Sequence, residues 1–313
     1  MDEIRGVRSV SDLIVILGPT ASGKTRLAVE VAKHINGAII SADSRQVYRG
    51  MDIGTGKDRH VYGDISHYLI DIVDAGETYH VARYWADFHA ALAAIQQQGR
   101  QPIVCGGTGL YIQSILQPYN YSTVPVDTVL RQSLEPLSID ALKHELGALP
   151  IPIGFRPDTS TKKRLIRAIE IAVWCTKGEE IPMGPPPTPA TLFGLAPPVD
   201  VRRRAITERL TERLGAGLID EVRGLLEQGI PPDRLVYYGL EYKYTTLYLL
   251  GELKYEQFVD RLNTEIHRFA KRQMTYFRKM EKDGLDIHWL VNGPVSDMAA
   301  ELIAKVRKKG VVN

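Results

Sequence analysis

The chain has 313 residues, 44% of them apolar, and a formal net charge of +2. That length can bury a large core, as one large or two smaller domains, and the near-neutral balance by itself argues for no charged partner. No signal peptide is visible in the polar first twelve residues, no apolar run approaches the roughly 20 residues that span a bilayer, and Cys105 and Cys175 lack metal-ligand spacing. Both cysteines read as reduced core residues of a cytoplasmic protein.

The first informative stretch is an apolar, β-branched run at 13–17 followed by Gly18-Pro19-Thr20-Ala21-Ser22-Gly23-Lys24-Thr25. This is the spacing G-x-x-x-x-G-K-[ST] between a buried strand and a helix predicted over 26–35. Glycines at those positions let backbone N–H groups converge on phosphate oxygens, and the helix adds its N-terminal partial positive charge. Lys24 brings a mobile full charge, and Thr25 offers a hydroxyl to Mg²⁺. The loop predicts a phosphate or pyrophosphate site, most simply for ATP.

A short strand at 37–41 follows and ends in Ala42-Asp43-Ser44-Arg45-Gln46. Polar groups just after a strand of an α/β sheet lie at the edge the phosphate loop occupies, so Asp43 is expected to face the phosphates. It is a candidate base, metal ligand or structural cap, and Gln46 is suited to an adenine edge. Asp71, in a strand-like stretch at 67–74, is the other candidate acid. Thr78 is placed as the cap of a helix carrying Val81, Tyr84, Trp85, Phe88, Leu92 and Ile95 at helical spacing, stopped by Gly99. A buried strand at 102–105 then runs into Gly106-Gly107-Thr108-Gly109. Alternating strand and helix predicts a P-loop-like parallel sheet with helices on both faces.

From 120 to 198 the character changes. Short helices with polar faces and a basic helix from Thr161 to about Cys175 lead into a segment, 181–198, with seven prolines. This predicts a smaller helical insertion, with the core formed by 1–119 and 199–313 and a strand near Phe193 returning to the sheet. Two long helices, 200–228 and 252–282, a strand at 286–291 and a terminal helix close the chain. Phe258, Leu262, Ile266, Phe269 and Phe277 fall on one side of the second long helix. Basic residues fall in three groups: Lys162, Lys163, Arg164 and Arg167; Arg202, Arg203 and Arg204; and Arg268, Lys271, Arg272, Arg278 and Lys279 on the last long helix. Three such groups in a near-neutral chain favour an extended polyanion, with Tyr237, Tyr238, Tyr242, Tyr276 and Phe277 nearby as possible stacking rings.

Taken together, GPTASGKT at 18–25, DSRQVY at 43–48, MDIGTGK at 51–57, GGTGLY at 106–111 and AKRQMTYFR at 270–278 resemble the tRNA dimethylallyltransferases, in order and over nearly the whole chain. The resemblance implies transfer of a dimethylallyl group from dimethylallyl diphosphate to the exocyclic amine of the adenosine 3′ to the anticodon. It implies a phosphate loop that binds the prenyl diphosphate, with Mg²⁺ near Thr25 and Arg209 reaching the diphosphate. Asp43 becomes the general base, with Thr20 and Lys24 as the other catalytic residues. Contacts to tRNA are implied for Asp43, Ser44, Arg45, Gln46, Thr108, Arg131, Lys163, Arg164, Leu165, Ile166 and Arg167, and the basic helix adds Lys271 and Arg272. A target base stacked in the anticodon loop must be drawn out of the stack, which a channel open at both ends would serve. The expected protein is a cytoplasmic monomer with no membrane partner. Competing readings are prenyl transfer to a free adenine nucleotide, a small-molecule kinase, and a non-catalytic tRNA-binding protein. Three places depart from the family pattern: Arg45 stands where many members have an apolar residue, Ile266-His267 replaces Thr-Arg, and the motif at 237–243 differs.

Overall fold

A computed structural model describes residues 12–117, 121–152, 155–178 and 187–312. Its centre is a six-stranded, all-parallel sheet built from β1 (Leu13–Leu17), β2 (Gly37–Ser41), β3 (His67–Tyr68), β4 (Gln101–Gly106), β5 (Ala190–Gly194) and β6 (Ile287–Trp289), in the order β3-β2-β4-β1-β5-β6. β1, β2 and β4 are buried at every position. Continuous apolar runs of this kind are what a parallel strand covered on both faces requires.

α1 (Lys24–His34) and α2 (Val81–Gln97) cross over between strands, and α3 (Gly109–Leu116) leaves the end of β4. Of the predicted apolar face of α2, Tyr84, Phe88, Leu92 and Ile95 are buried, while Val81 and Trp85 are half-buried. Its cap is His80, whose Nδ1 accepts the Arg83 N–H, rather than Thr78. The chain separates into two compact units, residues 1–113 with 188–313 and residues 114–187. The sheet therefore reclaims the chain earlier than position 199, because β5 pairs with β1 from Ala190 onward.

The smaller unit contains α4 (Thr128–Leu134), α5 (Ile139–Gly147) and α6 (Lys162–Thr176). Leu134, Leu142, Leu146, Leu165, Ile166 and Ile169 make its apolar core. Beside that core the fully buried Glu170 carboxylate takes two hydrogen bonds from Arg131, at 2.7 and 2.9 Å, one from Arg167 at 3.2 Å and one from the Asp127 N–H at 3.1 Å. A buried charge is tolerated only when paired in this way. The prolines at 182, 185 and 186 lie outside the described residues.

The C-terminal part is α7 (Val199–Gly215), α8 (Leu218–Glu227), α9 (Pro232–Tyr237), α10 (Leu240–Leu249), α11 (Tyr255–Lys282) and α12 (Val295–Lys308). The helix predicted over 200–228 is two helices. Gly217 breaks it at φ 101°, a left-handed conformation that glycine adopts without cost. α12 packs through Leu302 and Val306 into the cluster formed by α1 and the sheet. Cys105 is buried and Cys175 half-buried, both as free thiols. Among the described residues no helix is long and apolar enough to cross a membrane.

Two polar devices fix the 51–57 loop. The Glu221 carboxylate of α8 accepts the N–H groups of Asp52, Ile53 and Gly54 at 2.7–3.0 Å, and the Tyr242 hydroxyl at 2.6 Å. Lys57, 1% exposed, donates to the Tyr48 carbonyl, to Asp52 and to Asp71 at 2.5–2.6 Å. Asp71 also pairs with Arg59. It is thus a structural counter-ion, which removes it as an acid for the phosphate site. Replacing Lys57 by Met should destabilise the protein by about 3–5 kcal/mol, the cost of leaving a buried pair half-made; denaturant unfolding would measure this, and a loss below about 1 kcal/mol would contradict the assignment.

Candidate active site

Strand register sets three functional loops side by side. Leu17 pairs with Gly106 and Ser41 with Cys105, so β1, β2 and β4 end together. The phosphate loop, the Asp43 turn and the Gly106–Thr108 turn therefore share one edge, the place where open α/β sheets bind ligands. Gly106 is required there, since a Cβ would overlap the Ala42 carbonyl. Thr108 ties two of the loops, its N–H donating to the Ala42 carbonyl at 3.1 Å and its Oγ accepting the Ser44 N–H at 3.1 Å.

α11 closes the edge from above. Gln273 accepts the Thr20 N–H at 2.9 Å and donates through Nε2 to the Gly107 carbonyl at 2.9 Å. One buried amide thus joins the phosphate loop to the end of β4. In the phosphate loop, Ala21 and Gly23 have φ of 58° and 82°, the left-handed turns that make successive N–H groups converge. Lys24 begins α1, and its Nζ rests on the Pro19 carbonyl at 3.3 Å. The Ser22 hydroxyl is buried and has no protein partner.

A cavity of 170 Å³ lies between these loops. Thr20, Lys24, Asp43, Thr108, Arg209 and Gln273 are among the residues that line it. A second, larger hollow of 640 Å³ adjoins it, and Lys24, Thr25, Asp58, Arg209 and Arg213 belong to the walls of both. The cationic groups Lys24, Arg209 and Arg213 lie on the wall that the two cavities share, the waist between them.

The electrostatics at that waist suit an anion. Burial lowers the pKa of Lys24, the nearby Asp43 opposes the shift, and Arg209 and Arg213 add to it. Burial, reinforced by Arg213, pushes Arg209 down to about 10. Arg213 donates to the Gly54 carbonyl at 3.2 Å and pairs with Glu241 at 2.9 Å, while its Nη2 is buried without a partner. Gly56 makes room for this pair of arginines, because a Cβ there would overlap both guanidinium groups. Next to Lys24, burial raises the Cys105 thiol to about 11, which keeps it neutral.

Asp43 is half-buried and faces the same cavity. One oxygen, Oδ1, accepts the Arg45 N–H at 2.9 Å, which fixes the carboxylate across its own turn. Gln46, expected at an adenine edge, is instead spent on the protein: it accepts from the Ser41 hydroxyl at 3.0 Å and donates to the Gly56 carbonyl at 3.0 Å. It still lines the cavity.

The residues tied to tRNA by resemblance divide by environment. Leu165 and Ile166 turn into the core of the smaller unit, so their side chains cannot meet a nucleic acid. Arg131 and Arg167 are held by Glu170, and Arg167 also donates to the carbonyls of Tyr121, Val124 and Pro125. Arg164 pairs with Asp158, and Lys163 is exposed on α6. Lys271 and Arg272 are exposed on α11. Of the aromatic rings, Tyr238, Tyr242 and Phe277 are core, while Tyr237 is 50% exposed. Phe269, grouped with the apolar side of its helix, is 41% exposed and lines the cavity. Sequence reasoning missed Arg213, Glu221 and Gln273; of the three, only Gln273 lies in a recognised motif.

A parallel P-loop-like α/β core with a cationic waist and an opposed carboxylate makes a site with the charges for an anionic ligand. Comparison with known proteins specifies it. The family model described as IPP transferase matches residues 46–280, and that described as isopentenyl transferase matches residues 11–71. A protein named tRNA dimethylallyltransferase 1 from Porphyromonas gingivalis is 47% identical over 298 residues, covering 94% of this chain and 98% of the relative. One named tRNA dimethylallyltransferase 2 from Syntrophotalea carbinolica is 50% identical over 282 residues, covering 89% and 94%. The crystal structure of the full-length tRNA isopentenylpyrophosphate transferase from Bacillus halodurans matches with a TM-score of 0.70 at 32% identity, over 96% of this chain and 98% of that one. The chain belongs to the IPP transferase family.

Replacing Gln273 by Ala leaves the Thr20 N–H and the Gly107 carbonyl unpaired, which should cost about 1–3 kcal/mol of stability and weaken pyrophosphate binding about tenfold; calorimetry reads both. Because the pKa of Lys24 is lowered, its ammonium is lost earlier as pH rises. The affinity advantage of the wild type over Lys24→Met for pyrophosphate should therefore begin to shrink below the ordinary lysine range near ~10.4.

Proposed function

We propose that this protein is a tRNA dimethylallyltransferase that moves the dimethylallyl group of dimethylallyl diphosphate to the N6 amine of the adenosine 3′ to the anticodon. The observation that carries this reading is the placement of Asp43 and Lys24 in one cavity, with a second cavity sharing its Lys24, Thr25 and Arg209 wall. Two adjoining cavities leave room for an RNA base beside Asp43 and a prenyl diphosphate against the phosphate loop. The names of the relatives at 47–50% identity support the same reading.

An exocyclic adenine amine is a weak nucleophile, because its lone pair is delocalised into the ring. As the amine nitrogen bonds to the allylic carbon, the carbon–oxygen bond to diphosphate breaks. The nitrogen proton must leave, and the Asp43 oxygen not engaged by the Arg45 N–H is the acceptor in the cavity. The departing diphosphate gathers negative charge. Lys24, Thr20, the N–H groups of the phosphate loop and Arg209 receive it in a partly buried setting, where fixed donors act more strongly than water does. Lys24 and Arg209 both have pKa values lowered by burial, so an arriving polyanion relieves their desolvation.

The donor set suits Mg²⁺. No group of three or more His, Cys, Asp or Glu that could hold a metal occurs among the described residues. Mg²⁺ does not need one, since it keeps several waters and takes phosphate oxygens as ligands. The Thr25 hydroxyl, on the wall of both cavities, would hold it against the diphosphate. When bound, the ion would supply charge neutralisation to the leaving group. The reading includes a cytoplasmic enzyme that acts as a monomer.

Incubation of the full chain with tRNA, Mg²⁺ and dimethylallyl diphosphate should add one prenyl group to an adenosine, seen by mass spectrometry of tRNA nucleosides. Prenyl transfer to AMP alone, or ATP-dependent phosphorylation without tRNA prenylation, would overturn the reading. Asp43→Asn should lower turnover about 10²- to 10⁴-fold with the KM for dimethylallyl diphosphate kept. Wild-type turnover in that variant would exclude Asp43 as the base.

A further inference from the structure

Arg45 and the motif at 237–243 depart from the family pattern at places far apart in the chain. In the structure they are one feature. The Arg45 guanidinium carbon lies 5.3 Å from the centroid of the Tyr237 ring, a cation–π distance. Arg45 itself lines the cavity two residues beyond Asp43. Its backbone N–H holds Asp43 Oδ1, so the side chain over Tyr237 and the carboxylate in the cavity share one rigid turn.

The ring is held from behind. Tyr237 meets the buried Tyr238 edge-on, with centroids 6.0 Å apart. Tyr238 packs on Tyr48 at 4.4 Å, accepts the Gly76 N–H at 2.6 Å and donates to the Glu77 carbonyl at 3.0 Å. The next residue, Gly239, passes close to Arg45: a Cβ built there would lie 3.7 Å from Arg45 Nε. This is a costly arrangement for a ring that remains 50% exposed. Nor does Arg45 form an ion pair with a carboxylate among the described residues. A fixed, half-exposed ring bearing a guanidinium with no carboxylate on it, at the rim of a cavity, is the surface on which unstacked bases are held.

We propose that Arg45 and Tyr237 form a stacking platform for a nucleotide that flanks the target adenosine. Drawing the target base into the cavity breaks its stack with its neighbours. A neighbour resting on Tyr237, with the Arg45 guanidinium against its face or edge, recovers part of that loss just outside the reaction site. The platform would favour the larger rings of purines over pyrimidines, and through Arg45 it would report the neighbour to the turn that carries Asp43. It is a specificity device for RNA, and it rests on the RNA-directed function proposed above.

The test measures binding of RNA stem-loops to the full-length protein in the absence of prenyl donor. Each of the two nucleotides flanking the target adenosine is made purine, pyrimidine or abasic in turn. For the wild type, one abasic neighbour should weaken binding roughly 5- to 150-fold, the scale of one base–aromatic stack. Tyr237→Ala should lose a similar factor with the base present and nothing further when it is abasic. Tyr237→Phe should keep the wild-type pattern, and Arg45→Met should narrow the preference for a purine. Equal losses on base removal in wild type and Tyr237→Ala would overturn the platform, as would unaltered affinity in Tyr237→Ala. A protein that shows the binding pattern but transfers no prenyl group to RNA would overturn the proposed function and leave the platform standing.

Discussion

Three strand ends make this site, and a single side-chain amide keeps them in register with the helix above. Gln273 spans from the Thr20 N–H to the Gly107 carbonyl, satisfying a donor on one loop and an acceptor on the other. An amide side chain offers both functions on one planar group; a carboxylate would accept twice and repel the carbonyl. Because Gln273 sits on α11, the position of a 28-residue helix is coupled to the geometry of the phosphate loop. The exposed Lys271 and Arg272 of that helix lie within two residues of the same amide. Any displacement of that stretch of helix would be felt at the Thr20 N–H.

The charges around the cavity follow a common logic. Arg213 is partly neutralised by Glu241, and Arg209 shares the cavity wall with it. Two guanidinium groups and an ammonium lie near one another with only partial compensation from acids. Keeping like charges together costs stability, and the structure accepts that cost at the waist of the site. This is the arrangement expected where a polyanion supplies the missing counter-charge. The smaller unit shows the opposite case. There Glu170 is surrounded by arginines of its own, and the set is closed.

Much of this was legible in the order of residues. The strands at 13–17, 37–41 and 102–105 announce themselves through unbroken apolar runs, and the loop spacing from Gly18 to Thr25 carries its chemistry in its composition. Asp43 was readable because it follows a strand directly. Long-range partnerships were not readable. Nothing local marks Glu221 as the acceptor for amides about 170 positions earlier, or separates Arg213 from the other basic residues of α7. Leu165 and Ile166 show the converse limit. They fall between basic residues in a helix, and only the packing of α5 against α6 decides that their faces point inward. The break at Gly217 is a tertiary choice as well, since the apolar spacing continues across it.

The 51–57 loop resembles the phosphate loop in outline, with glycines and converging backbone N–H groups. Its amides are already taken, three of them by the Glu221 carboxylate. The chain thus carries an internal substitute for an anion, covalently attached and always at saturating concentration. It has two glycine-bearing turns of similar chemistry, and ownership by a resident side chain, more than loop composition, decides which of them stays open to a soluble phosphate. Discrimination is therefore settled at folding, before any ligand arrives.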